Sequence, residues 1–262
     1  MAEALVLDHG YIKVIETWGS DERIVEAARM STNKGFRGWG PSCSKCGIRV
    51  VRALDSISPA DYERGEKQRA CFHDADVSGD EKLLRYLYEH KHATPFEMAG
   101  AVIEVQAPIF VFREWHRHRT QSYNEMSARY TPMPNEHYMP DADRCLVVDA
   151  KNKQAGAVTD GLTHESVLEW LEELGFLYAQ SEAVYQSGLK RGVPKELARL
   201  AVLVSRYTRM RASANLRNWM AFMTLRSAPD AQKEIRVYSD ALGTFLEQKF
   251  PRTMALFLEE RR

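Results

Sequence analysis

The sequence predicts an α+β protein in which helices dominate. Three observations carry that expectation. Apolar residues recur at helical spacing through long segments, above all 165–189 and 231–248. Short β-branched runs bounded by Gly or Pro lie at 11–18 and 101–105. The composition, 44% apolar and 27% charged over 262 residues, is that of a folded chain long enough to bury a large core.

The elements follow in order. Residues 11–18 read as a strand, because Ile12, Val14 and Ile15 are β-branched and Gly19 follows. A helix over 21–30 sets Ile24, Val25 and Ala28 on one side. Residues 33–79 are rich in Gly, Pro, Ser and Asp, and read as an insertion or long loop within a single domain spanning 1–262. Ser78-Gly79-Asp80-Glu81 has capping-box spacing, and Leu83, Leu84, Leu87 and Tyr88 then mark a helix to about His90. Residues 101–105 form a strand that Pro108 closes. Residues 109–115 are apolar, aromatic and helical, and 135–161 are irregular. The long helix over 165–189 carries Val167, Leu168, Leu171, Leu174, Tyr178 and Tyr185. Gly192-Val193-Pro194 stops it and starts another. Helices over 216–225 and 231–248 follow, the second with Ile235, Tyr238, Leu242, Phe245 and Leu246 on one face.

Charge narrows the function. Lys+Arg and Asp+Glu are both 36, so the net charge is zero. A dedicated nucleic-acid or membrane-surface protein needs a basic excess, so neither partner is expected. No apolar run approaches the roughly 20 residues of a membrane span. Met1-Ala2-Glu3-Ala4 lacks a signal pattern, and four cysteines make no disulfide framework. A cytoplasmic protein is the expectation.

Residues 113–130 are the chemical concentration of the chain: Arg-Glu-Trp-His-Arg-His-Arg-Thr-Gln-Ser-Tyr-Asn-Glu-Met-Ser-Ala-Arg-Tyr. Arginine forks suit phosphates because they offer paired donors in a plane. Ser122, Asn124 and Ser127 add groups for an acceptor-rich ligand. A second basic cluster comprises Arg199, Arg206, Arg209, Arg211, Asn215, Arg217 and Arg226. Charge alone leaves two readings open: an anionic small-molecule site, or a solvated face with internal salt bridges. Trp115, Tyr123, Met126 and Tyr130 fall among the charges at no regular period, which is unlike a solvated helix face.

The order of residues is specific. Arg117-His118-Arg119, two residues, Ser122, one, Asn124-Glu125, one, Ser127 resembles the signature of the flavin-dependent thymidylate synthases, the ThyX family. His92-Ala93-Thr94-Pro95-Phe96-Glu97, Ala107-Pro108-Ile109-Phe110-Val111, Ser31, Asn215-Leu216-Arg217 and Leu225-Arg226 also resemble family positions. The likeness spans about Asp8 to Phe250.

That resemblance implies a ThyX-like fold, a mixed sheet with several long helices, and active sites at the subunit junctions of a homotetramer. It implies methylene transfer from methylenetetrahydrofolate to carbon 5 of dUMP, with FAD reduced by NADPH. Thr94, Arg117, His118, Arg119, Glu125, Asn215, Leu216 and Arg217 would contact FAD. Glu114, Arg117, Glu125, Met126, Ser127, Ala128, Arg129, Arg199 and Arg226 would surround the nucleotide, with Arg226 facing the pyrimidine as the catalytic group. A fixed cation beside an ionising imide stabilises the anion and enriches carbon 5. Ser127 reads as a binding hydroxyl rather than a nucleophile, and Trp115 and Tyr123 as packing.

Three departures stand out. Glu114 occupies a position where the family usually has Gln, and a carboxylate there could accept a ribose hydroxyl. A ThyX-like enzyme of nucleoside-antibiotic biosynthesis methylates UMP as well as dUMP, so UMP is the alternative substrate. Ala221 and Asp230 replace a polar residue and a His of the family. Outside the signature, Cys43, Cys46, Cys71 and His73 have the makings of a structural zinc site, although the family core uses no metal. Cys145 reads as incidental.

Overall fold

The computed structural model describes residues 3–39, 79–146 and 162–261. The expected zinc ligands and residues 40–78 of the 33–79 segment lie outside the described residues. The architecture is α+β, as the sequence predicts. The chain resolves into two compact units.

The first unit comprises Met1–Glu16, Ala101–Ala214 and Asn218–Phe245. Its core is a five-stranded sheet in the order β1-β2-β3-β5-β4. The strands are β1 (Glu3–Val6), β2 (Gly10–Trp18), β3 (Gly100–Pro108), β4 (Ser122–Glu125) and β5 (Tyr207–Asn215). β1 pairs antiparallel with β2, and β4 with β5, where Glu125 faces Met210 and Ser122 faces Ser213. β3 alternates: Ala101, Ile103, Val105 and Ala107 are fully buried, and the residues between them are half-buried. That is the period-2 pattern of a strand with one face on the core. The strand runs on to Pro108, three residues past its expected end.

After α1 (Asp21–Arg29) and α2 (Asp80–Glu89), the chain forms α3 (Ile109–Trp115), α4 (Ala142–Leu146), α5 (His164–Lys190), α6 (Lys195–Ala198), α7 (Leu216–Arg226), α8 (Lys233–Lys249) and α9 (Pro251–Glu260). Aromatic residues fix α3, α7 and α8 on the sheet. Trp115 packs tilted against Phe222 with ring centroids 4.6 Å apart, and lies 6.4 Å from Tyr238. Trp219 Nε1 donates to Ala101 O at 3.1 Å, and the Tyr238 hydroxyl to Gln106 O at 2.8 Å. Gly10 leaves room for that hydroxyl, because a Cβ there would stand 2.0 Å from it. Helix α5 opens with a reciprocal Thr163–Ser166 capping box. It closes past Arg191 at Gly192, whose φ of +78° favours glycine.

In the second unit, α1, α2 and α9 bury Ile24, Val25, Leu84, Leu87, Met254 and Phe257. Asp21 caps α9: its carboxylate accepts from Arg252 N at 2.8 Å and from Thr253 N at 3.1 Å. Buried Asp80 pairs with Arg29 and accepts from the amides of Arg37 and Gly38. The helix starts at Asp80 with Gly79 before it, and Ser78 of the expected capping box lies outside the described residues.

Candidate active site

The charged stretch that holds the signature forms three consecutive pieces in the first unit: the end of α3, a tight turn over His116–Thr120, and β4. The turn is pinned by Tyr123, whose hydroxyl lies 2.6 Å from His118 O and 3.2 Å from Trp115 O. Burial pushes that phenol up to about 12, so it keeps its proton and its donor role. Trp115 is fully buried and donates to Gln121 Oε1 at 3.1 Å. Both aromatics pack, as the sequence predicts.

The turn brings Glu114, His118 and Arg226 together. Arg226 NH1 donates to Glu114 Oε2 at 2.7 Å, NH2 to Glu114 O at 2.9 Å, and Nε to His118 Nε2 at 2.9 Å. All three guanidinium nitrogens are engaged, so the cation is held in one orientation. His118 Nε2 must be an acceptor, which puts the imidazole proton on Nδ1. Burial, and then the Arg226 charge, lower His118 to about 4.

That shift has a stability consequence. An unfolded imidazole titrates near 6.5, and the folded one near 4. Between these values the unfolded state binds more protons, so stability falls as pH drops from about 6.5 to about 4. Arg226→Ala removes the Coulombic part of the depression. The variant's denaturation midpoint should therefore fall less steeply over that interval than the wild type's. Parallel curves for the two proteins would deny Arg226 this influence.

Beside β4 and β5 lies a recess of about 530 Å³. Its polar lining residues are Arg113, His116, Glu125, Ser127, Arg199 and Thr208. Its apolar lining residues include Ile109, Phe112, Met126, Met133, Val202 and Val204. The volume falls in the usual range for small-molecule sites, roughly 300–1,000 Å³. His116 Nε2 lies 3.2 Å from Met210 Sδ. Glu125 is open to solvent yet flanked by protein, as a group on the wall of a concavity is. Burial raises its carboxyl, opposed by His116, the nearby Thr208 hydroxyl and Arg113.

Of the residues expected around a nucleotide, Glu125, Met126, Ser127, Ala128 and Arg199 line this recess. Glu114, Arg117, Arg129 and Arg226 are not among its lining residues. Arg129 pairs with exposed Glu196 at 3.1 Å. Three polar lining residues carry no ligand-contact expectation from the sequence: Arg113, His116 and Thr208. The first two flank the signature and were within reach of its charge pattern, whereas a lone Thr gives no signal.

Of the residues expected to hold FAD, Arg117, His118, Arg119 and Glu125 lie in the first unit. Arg117 and Arg119 are exposed and make no ion pair among the described residues, so both suit an anionic, acceptor-rich group. His118 retains only Nδ1–H to offer. Thr94, Asn215, Leu216 and Arg217 lie in the second unit. Thr94 opens a short 3-10 turn over Thr94–Met98, and Arg217 pairs with Glu97 of that turn at 2.6 Å. Both partners are substantially exposed, so a bound anion displaces the pairing at little cost. These donors fit the group.

A family model described as thymidylate synthase complementing protein matches residues 13–252. A flavin-dependent thymidylate synthase of Gluconobacter oxydans is 35% identical over 98% of this chain and 72% of its own length. The chain belongs to the flavin-dependent thymidylate synthase family. It is thus an enzyme of the methyltransferase type. A flavin-dependent thymidylate synthase of Thermus thermophilus is 33% identical over 97% of this chain and 77% of its own. Among solved structures, the UMP/dUMP methylase PolB from Streptomyces cacaoi matches in two crystal structures. The one bound with 5-Br UMP has a TM-score of 0.72 and 26% identity, covering 97% of this chain and 96% of PolB. The one bound with 5-Br dUMP has a TM-score of 0.70 and 28% identity. Among its described residues, this flavin-dependent thymidylate synthase homologue has no helix long and apolar enough to cross a membrane.

Proposed function

We propose that the chain, acting as one catalytic domain, methylates carbon 5 of a uracil nucleotide, dUMP first and UMP as the alternative. Methylenetetrahydrofolate gives the carbon and NADPH reduces FAD. The observation that carries this reading is the recess lined by Glu125, Met126 and Ser127 of the signature together with Arg113, Arg199 and apolar side chains. The two nucleotide analogues bound by PolB support a uracil nucleotide here. Bound flavin would supply the reducing equivalent that completes the methyl group.

The chain's own residues do the rest. Arg199 and Ser127 serve the phosphate. Arg226, fixed by Glu114 and His118, faces the pyrimidine and favours the N3-deprotonated base, which enriches carbon 5. The hydrogen at carbon 5 leaves as a proton, and the methylene plus a hydride become the methyl group. Glu114 accepts from Arg226 through both its carboxylate and its main-chain oxygen. Its role is therefore to hold that cation rather than to read the ribose. Arg117 and Arg119 serve FAD.

We place the chain in the cytoplasm as a homotetramer, after the family it resembles, and the exposed apolar side chains of α5, Leu168, Trp170, Phe176, Leu177 and Val184, support an interface between subunits.

Purified protein tests the reading. The wild type should carry flavin absorption and release tritium from carbon 5 of labelled dUMP only when donor and reductant are both present. Arg119→Ala should lose most of its flavin on gel filtration. A colourless wild type that stays colourless with added FAD would refute the cofactor assignment.

A further inference from the structure

The inward face of α5 is largely polar. Of its 27 residues only Val167, Ser181 and Tyr185 are buried. Tyr178, Ser181, Glu182 and Tyr185 fall at i, i+3, i+4 and i+7, so they share one face. Each reaches across to one of two stretches of chain. The Tyr178 hydroxyl donates to Tyr138 O at 3.0 Å, and the Tyr185 hydroxyl accepts from Met133 N at 3.1 Å. The Ser181 hydroxyl donates to Ala201 O at 2.6 Å, and Glu182 pairs with Arg206. The stretches gripped in this way, 133–138 and 199–206, supply Met133, Arg199, Leu200, Val202 and Val204 to the lining of the recess.

Ser181 acts on the piece that carries Arg199. After α6 the chain makes one 3-10 turn, Arg199–Ala201, in which Val202 N donates to Arg199 O at 3.0 Å. A single turn of this kind has little stability of its own. It is fixed from outside: Ala198 before it is buried close to Gly188 of α5, and Ser181 holds its last carbonyl. Arg199 itself is exposed, and its Nε donates to Glu196 O at 3.3 Å. Freezing a long arginine side chain on an anion is already costly, so a drifting main chain beneath it weakens the contact further. Because Ser181 is buried, deleting its hydroxyl leaves Ala201 O without this donor, and the turn must shift to find another.

We propose that Ser181 is a positioning residue for the phosphate end of the nucleotide: by holding Ala201 O it fixes the turn that carries Arg199. The inference rests on the reading above in which Arg199 serves the phosphate.

Calorimetry on FAD-loaded protein measures dUMP binding to the wild type, Ser181→Ala, Arg199→Ala and the double variant. Ser181→Ala should weaken dUMP binding about three- to tenfold. Its kcat at saturating dUMP should stay within about twofold of the wild type's, since the reacting groups are untouched. In the Arg199→Ala background the same change should have no further effect, because a residue that acts through another adds nothing once that other is gone. Ser181→Cys keeps the volume with a weaker donor, and should show a smaller loss of the same kind. It reports on the contact even if the alanine variant fails to fold. Equal losses from the Ser181 change with and without Arg199 would make the serine merely structural and overturn the proposal. Unchanged dUMP affinity in the Ser181 variants that fold, alongside a loss in Arg199→Ala, would overturn it too. A wild type that binds no dUMP, or an Arg199→Ala variant that binds it as the wild type does, would instead overturn the phosphate reading, and this inference with it.

Discussion

Replacing Arg226 by alanine lowers the methylation rate by about a hundred- to a thousandfold, the usual effect of deleting one preorganised electrostatic group. Flavin content should stay near that of the wild type, since Arg117 and Arg119 remain. The effect is large because the cation is already oriented. Three donor contacts to Glu114 and His118 fix it, so no reorganisation is needed when the base becomes anionic. Arg226→Lys keeps the charge but loses the planar fork, and should recover only part of the rate. Glu114→Gln keeps an acceptor oxygen without the charge, and should cost less than Arg226→Ala. Steady-state rates alongside flavin absorbance check the set. Near-wild-type turnover in Arg226→Ala would remove Arg226 from the chemistry.

Arg206→Ala produces the largest loss of stability, about 3–5 kcal/mol in denaturant unfolding. Arg206 is fully buried and pairs with Glu182. It also lies 2.8 Å from His137 Nε2 and sits over the Tyr185 ring. Removing it strands the Glu182 carboxylate, whose side chain is 15% exposed. His137 is lowered to about 4, by burial and then by Arg206, so it is a neutral acceptor for the guanidinium. Replacing Arg206 and Glu182 together by apolar residues of similar volume should recover most of the loss, because no charge is then left buried alone. A single-variant loss under about 1 kcal/mol would contradict a buried, coupled network.

The same arginine shows what the sequence concealed. Arg206, Arg209 and Arg211 read as one basic cluster. The structure divides them. Arg206 is interior, while Arg209 and Arg211 lie on the exposed side of β5, whose other side buries Thr208, Met210, Ala212 and Ala214. Ala and Met are weak strand formers, so the alternation was present without the residue types that announce it. β4 escaped for a related reason: Ser122–Glu125 has Tyr123 as its one apolar residue, so no apolar period can show. β1 has only four residues. The helices were legible because their apolar stripes are long, and α5, α7 and α8 lie within two residues of their expected bounds. The signature was legible because residue order, not period, carries it. The Glu114–Arg226 pair was not, because 112 positions separate its members and nothing in either neighbourhood names the other.

The central claim is that this chain adds a methyl group to carbon 5 of a uracil nucleotide. The direct test gives the purified enzyme FAD, NADPH, methylenetetrahydrofolate and an equal mixture of dUMP and UMP, and identifies products by mass spectrometry. Thymidylate is the expected product, absent when flavin is omitted from stripped protein, with ribothymidylate as the product of the alternative substrate. Flavin-loaded enzyme that forms neither methylated nucleotide would contradict it.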